Sequence, residues 1–397
     1  MSLVEASPPS RIPPRSVRPP FWRDVRVVRV VLQVVFVVAV VALIAYLYNN
    51  LVSNLEARGI RTDFGHLDQP AGFQIQGSDF RASQTVREAI QVGLGNTISV
   101  AGVGIVLTTI LGVIVGVASL SSNWLVRKGA NLFVESLRNL PPLLVILFTY
   151  FAVILPLPRI QEPLDWGFVI ITNRAIAVTA PSVDDGSGLF LVAVLVGLVV
   201  GAVVWRWRTR RNETTGEPHR RVMWSLAALA AVVVPAWALM GRPLGVDQPD
   251  VVGLQLDGGW TMSAGYAAVL LALVIYTASY IAEIVRGSIQ AVHRGQNEAA
   301  EALALSSFQR LRFVVLPQAF RIAVPPIGNQ YLNLTKNSAL AWAIGFAEVT
   351  TVTFISIGNG APAVQSVILL LFIYLALSLL ISFFTNIANR RLQVIER

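Results

Sequence analysis

The sequence predicts an all-α integral membrane protein with about eight transmembrane helices, and three observations lead there. Hydrophobic residues fill 54% and charged residues 13% of 397 positions, whereas soluble domains carry about 25% charged residues. Several apolar runs reach the roughly 20 residues a helix needs to cross the hydrocarbon core. The net charge of +9 comes largely from arginines beside those runs, as expected of cytoplasmic loops. No recognition motif accompanies the charge, so no nucleic-acid partner is expected.

Residues 1–27 are basic and proline-rich, composition that favours a disordered tail. The first span, 28–48, has full membrane length rather than that of a short signal-peptide core, and reads as a retained anchor. Residues 49–91 form a polar loop punctuated by Gly65, Pro70, Gly72 and Gly77, with one short helix expected near 84–91. The second span, 97–118, carries Gly102, Gly104, Gly112 and Gly116, small residues that let helices approach closely in lipid. After Arg127 and Lys128 an amphipathic lead-in (131–139) precedes a third span at 141–156. A hairpin of spans, 188–207 and 222–240, is joined by the basic loop RWRTRRNETTGEPHRR and flanked by loops at 157–187 and 241–263. The whole stretch from 157 to 263 looks like an insertion. The sixth, seventh and eighth spans follow at 264–285, 322–345 and 364–385, before a short tail at 389–397.

With the N-terminus inside, eight spans place 23 of the 31 lysines and arginines on the cytoplasmic side, seven outside, and Lys336 within a span. The bias orients the chain with both termini in the cytoplasm.

Function classes narrow next. Cysteine is absent, which excludes disulfides and thiolate chemistry, and His66, His219 and His293 are scattered. No catalytic residue and no metal site is expected. The spans hold no carboxylate except Glu283 near a cytoplasmic end, so proton coupling has little support. The chain also lacks a GxxxxGK[ST] phosphate loop and cannot alone be a P-loop ATPase.

Two polar constellations remain. Asn329, Asn333, Lys336 and Asn337 recur at i, i+4, i+7 and i+8, hence on one face of the seventh span. They line a solute path, or they hold helices together while Lys336 snorkels or pairs with Glu348 or Glu283. The second is EAAEALALSSFQRLRFVVLP, 298–317. There Asn297 is a candidate cap for a helix with Glu298 and Glu301 in its first turn, and Ser306 with Gln309 fits a capping box for another. This helix, break and helix would offer Leu303, Leu305 and Phe308 to a soluble partner, or rest on lipid headgroups.

Glu298, Ala299 and Ala300, then Ala304, Leu316 and Pro317, resemble the EAA loop of membrane subunits of bacterial ATP-binding-cassette importers. Ala304 stands where that motif has glycine and Val314 where it has isoleucine. VESLRNLPPLL, YTASYIAEIVRGSIQAV and NQYLNLTKNSALAWAIG resemble segments of polar-amino-acid permeases. The resemblance covers about 90–388, interrupted by the insertion, and GHLDQPAGF in the first loop adds likeness to the larger permeases of general L-amino-acid importers. It implies a type I importer fold with a permease domain at 92–388. Its coupling loop would include Glu298, Ala299, Ala300, Leu303, Ala304, Ser306, Leu316 and Pro317. The implied partners are a cytoplasmic ATPase dimer carrying ATP and Mg, a second permease subunit, a periplasmic binding protein, an amino acid and membrane lipid. The chain itself would need no cofactor. Alternatives are a permease for an opine or a single charged amino acid, a secondary transporter or channel, and a membrane scaffold.

Overall fold

The computed structural model describes residues 25–57, 59, 63–183, 187–215, 220–239, 244–253 and 255–392. Most of the expected N-terminal tail and the last five residues lie outside that set. The chain divides into two compact units, 1–64 and 65–397. Among its described residues the first holds one long helix, α1 (Val25–Ala57), which begins earlier and ends later than the 28–48 expected.

The second unit is a helical bundle with small antiparallel sheets at one insertion. Its helix α2 (Val86–Ala118) corrects the expected loop-then-span. The short helix anticipated near 84–91 is the first turns of a continuous 33-residue helix. Thr85 starts it with a capping box in which its hydroxyl accepts from Glu88 N and the Glu88 carboxylate accepts from Thr85 N, satisfying two otherwise orphaned donors.

Helix α3 (Trp124–Arg138) is capped by Asn123 and is amphipathic, beginning seven residues before the lead-in expected at 131. Helix α4 (Pro142–Phe148) continues as a π-helical turn (Thr149–Ile154). Helix α3 and this continued helix, Pro142–Ile154, meet at 107°, because Pro142 disfavours helical backbone at the residue before it and Pro141 is extended there (φ −63°, ψ 137°).

Among the described residues, eight short strands occupy the segments read from sequence as loops at 157–187 and 241–263. Strands β1 (Leu164–Asp165), β2 (Val169–Ile171), β3 (Ala175–Val178) and β8 (Trp260–Ser263) form one sheet in the order β1-β2-β3-β8. Strand β4 (Ala180–Val183) pairs with β5 (Leu244–Asp247), and β6 (Asp250–Val252) with β7 (Gln255–Asp257). The pairing Ala180↔Asp247 to Val183↔Leu244 is a ribbon from which the insertion's two helices, α5 (Ser187–Thr215) and α6 (Arg221–Leu239), project. The insertion therefore closes on itself and returns the chain to β8, whose last residue, Ser263, caps α7 (Ala264–Gln290).

Helix α7 is the buried axis of the bundle. Its Val269, Leu273 and Val274 join Val100 of α2, Ile146 of α4 and, further along the chain, Leu334 in the main core. Leu334 belongs to α10 (Leu316–Asn337), which continues as a 3₁₀ segment (Ser338–Ile344) to Gly345 in the left-handed region (φ +72°). A further helix, α11 (Val349–Gly358), had no counterpart in the sequence reading, and α12 (Ala363–Leu392) ends the described chain.

Among the described residues six helices are long and apolar enough to span, and eight segments are if each of two bent pairs counts once. The second pair, Ser307–Ile344 with Val349–Gly358, bends by 43°.

The glycines of α2 sort by what they face. A Cβ at Gly112 would lie 2.6 Å from Ile281 Cγ2, and one at Gly116 would lie 2.7 Å from the backbone oxygen of Ala282. At Gly102 nothing lies within 4 Å, so the expected packing role does not extend to it. Alanine gains about 1 kcal/mol of helix propensity over glycine at either position, but overpacking at Gly116 costs about 1–3 kcal/mol. Thermal unfolding in detergent should therefore show Gly116→Ala melting below Gly102→Ala, with Gly102→Ala at or above the parent. Equal melting of the two variants would contradict this α2–α7 contact.

Candidate functional site

The segment after α7 folds as a helix, a break and a helix. Helix α8 (Arg294–Ala302) is capped by His293, whose Nδ1 accepts from Gly295 N at 3.1 Å. The cap expected at Asn297 is thereby corrected. Asn297 lies inside the helix, because His293 already satisfies the first-turn donors, and Glu298 falls in the second turn rather than the first.

The break is a Schellman arrangement. Leu305 N donates to Ala300 O at 3.1 Å and Ala304 N to Glu301 O at 2.9 Å, with Ala304 at φ +53°. Ala304 thus occupies a left-handed position that suits glycine, and about 1–2 kcal/mol of steric cost attends a Cβ there. Directly after it, Ser306 caps α9 (Ser307–Arg310) in the anticipated capping box, with Gln309 N to Ser306 Oγ at 3.3 Å and Ser306 N to Gln309 Oε1 at 2.9 Å. An ion pair between Glu301 and Arg310 bridges α8 and α9.

Burial divides the coupling-loop candidates. Ala300 is buried and Leu316 half-buried, while Glu298, Ala299, Ala304, Ser306 and Pro317 are exposed. Leu303 and Phe308 are 75% and 67% exposed, the two most exposed large apolar side chains of the element. Val292, Val315 and Ala319 form a buried cluster with Ile289 of α7, which joins the ends of α7 and α10. A π-helical turn (Leu311–Val315) leads without a loop into α10. Pro317 sits where the backbone hydrogen-bond register changes, a place where its missing donor costs least.

The second constellation lies on α10. Asn329, Asn333 and Lys336 are exposed and Asn337 is half-buried, whereas Gly328, Leu334 and Thr335 on the other side are buried. Gly328 lies against Thr385 of α12 and Leu334 against Gly104 of α2. The polar face is therefore the one that a single chain leaves uncovered. Lys336 forms no ion pair among the described residues, and the pairing with Glu348 or Glu283 weighed from sequence is not made. Glu283 instead binds Arg286 at 2.6 Å and approaches Arg138 at 3.8 Å.

Sequence reasoning offers Glu348 only as a partner for Lys336 and misses its capping role. It is wholly buried at the start of α11, where its Oε1 accepts from Thr351 N at 2.8 Å and its Oε2 from the Tyr374 hydroxyl at 2.8 Å. Its neighbours are fastened to α2, since Ala347 O accepts from Asn96 Nδ2 at 2.8 Å and Val349 N donates to Thr97 Oγ1 at 3.2 Å. Gly93 makes room, because a Cβ there would sit 3.0 Å from Val349 Cα. The available signal was a carboxylate three residues before threonine, the spacing of an N-cap. A recess of about 190 Å³ beside this junction is lined by Asn96, Ser99, Trp260, Tyr266 and Phe346, among others. None of the four polar residues of α10 lines it.

The left-handed alanine yields a direct test. Glycine at 304 removes the Cβ cost and gives up less in unfolded-chain entropy, so Ala304→Gly should stabilise the break by on the order of 1 kcal/mol. Hydrogen exchange at the Ala304 and Leu305 amides should slow about fivefold. Unchanged or faster exchange would contradict the left-handed turn.

Residues 108–394 match the family described as binding-protein-dependent transport system inner membrane component. The chain is 38% identical to a putative amino-acid ABC transporter permease, YhdX, of Escherichia coli, over 89% of this chain and 91% of that protein. It is likewise 38% identical to the general L-amino acid transport system permease AapQ of Rhizobium johnstonii, over 89% of each. Identity to the glutamate/glutamine/aspartate/asparagine transport system permease BztB of Rhodobacter capsulatus is 35%, over 89% of this chain and 90% of that protein. The chain thus belongs to the inner membrane components of binding-protein-dependent transport systems.

Proposed function

We propose that this protein is the permease subunit of an ATP-driven importer that carries L-amino acids across the bacterial inner membrane by alternating access, with both termini in the cytoplasm. The observation that carries the coupling role is the helix, left-handed break and helix at 294–310. It presents exposed Glu298, Leu303 and Phe308 and runs without a loop into the helix that bears the uncovered polar face. Relatives of near-equal length named as amino-acid permeases support the substrate class.

In this reading a cytoplasmic ATPase dimer, which binds ATP and Mg, holds the element through Leu303 and Phe308 as exposed apolar anchors. Nucleotide-driven closure of that dimer moves α8 and α9. The motion travels along α10, whose 22 residues span roughly 33 Å at 1.5 Å per residue. Such a shift requires interactions that differ between the two states, and the ATPase interface supplies them. The face with Asn329, Asn333, Lys336 and Asn337 meets a second permease subunit, and the two chains enclose the path. A periplasmic binding protein delivers the amino acid to its outer end. Asparagine amides and one ammonium suit a zwitterion, offering donors and acceptors to the carboxylate and amino groups.

Reconstitution with the ATPase, partner permease and binding protein should give ATP-dependent uptake across a panel of amino acids. Glu298→Lys should weaken ATPase co-purification by about tenfold or more, as charge reversal at an interface does. Asn333→Ala and Lys336→Ala should lower uptake while leaving co-purification intact. Solute flux by the chain alone without ATP would overturn the importer reading, and unchanged uptake in both α10 variants would overturn the lining role.

A further inference from the structure

The insertion has no part in the transport argument, yet it carries the densest charge in the molecule. Helices α5 and α6 pack closely along their apolar lengths. A Cβ at Gly197 would lie 3.0 Å from Val233 Cγ2, and one at Gly201 would lie 3.3 Å from Ser225 O. Away from that seam Leu195, Leu198, Val199 and Leu226 are exposed, so the hairpin presents apolar flanks over a membrane-compatible length.

Where the apolar run ends, the two helices clasp each other through reciprocal cation–π contacts. Arg221 of α6 lies 5.0 Å from the ring centre of Trp205 on α5, and Arg208 of α5 lies 4.6 Å from that of Trp224 on α6. Arg211 stands 5.1 Å from the Trp207 ring. All three rings are at least 40% exposed. Arg206, Arg210 and Arg220 bring the arginines between 205 and 224 to six, and Glu213 is the one carboxylate among the described residues there.

We infer that this arginine–tryptophan collar is a binding site for anionic phospholipid headgroups. Tryptophan favours the interface between hydrocarbon and water, which sets the collar at headgroup depth. Contact with the rings restricts guanidinium side chains that otherwise sample many rotamers, and guanidinium groups pair well with phosphate oxygens. The apolar flanks supply the surface along which the same lipid's acyl chains lie. Charge complementarity and this shared depth select a lipid over a soluble anion. The inference is independent of the transported solute.

The test uses the full chain in phosphatidylcholine vesicles containing a minor fraction of spin-labelled phosphatidylglycerol, read as selectivity over spin-labelled phosphatidylcholine. Selectivity at the collar should fall about fivefold for each arginine removed in Arg208→Gln, Arg211→Gln and Arg221→Gln, given the usual strength of a basic residue at an anionic surface. The double variant Trp205→Leu, Trp224→Leu keeps every charge and should still lose selectivity. Glu213→Gln should raise selectivity, a gain that a misfolded hairpin could not show. Wild-type selectivity in the arginine variants would overturn the site. So would full selectivity in the tryptophan variant, which would reduce the effect to net charge, or displacement of the labelled lipid by inorganic phosphate.

Discussion

The buried carboxylate of Glu348 is the contact on which the second half of the bundle depends. It ends the interruption between α10 and α11 by accepting the Thr351 amide, which otherwise has no partner in the first turn of a helix. Its second oxygen takes the Tyr374 hydroxyl of α12, and the residues on either side are tied to α2. No lysine or arginine pairs with it among the described residues, so donors from α11 and α12 take the place of a counter-ion. A buried donor left without an acceptor costs about 1–3 kcal/mol, so one carboxylate accounts for much of the order at this junction. Helical interruptions are tolerated in a membrane protein where side chains satisfy the released backbone groups, and this junction meets that condition.

From Glu348 the logic runs back along the chain to the cytoplasmic element. Fixed at one end by the Gly345 turn and the Glu348 cap, α10 is held on its buried side by Gly328 against Thr385 and Leu334 against Gly104. At its other end it merges with the π turn and α9. The Schellman break at Ala304 and the capping box at Ser306 set the turn between α8 and α9 locally, and the Glu301–Arg310 ion pair adds a contact between the two helices. A rod anchored in the bundle and a locally specified bend at its tip form a device suited to passing motion from a soluble partner to the polar face of α10.

How much of this could be read in the sequence depended on the kind of signal. Long apolar runs gave the helices of the bundle, since hydrocarbon thickness sets their length, and the Ser306–Gln309 box was legible because a cap is a local chemical event. The EAA pattern marked Glu298 to Pro317 as one element, and the face of α10 followed from helical spacing. What failed was tertiary or masked by composition. Asn297 looked like a cap until His293 was seen to start α8 one turn earlier. Strands β2 and β3 alternate too weakly within apolar surroundings, so VII and AIAV did not stand out from the nearby spans. Glu348 was legible only as a candidate partner for Lys336, because Thr97 of α2 and Tyr374 of α12, whose hydroxyls approach its carboxylate, are distant in sequence and meet it only in the fold. Gly102 shows the same limit in reverse: its spacing matched Gly104, Gly112 and Gly116, and only packing separated them.

The central claim is that the helix-break-helix element docks a soluble ATPase, and the absence of cysteine makes it directly measurable. Leu303→Cys and Asn333→Cys each introduce a unique thiol, one on the element and one on the face of α10. On adding the ATPase, maleimide labelling at position 303 should slow by about tenfold or more, as burial of an interface anchor requires, and introducing Glu298→Lys should restore it. Equal labelling at position 303 with and without the ATPase would contradict the account.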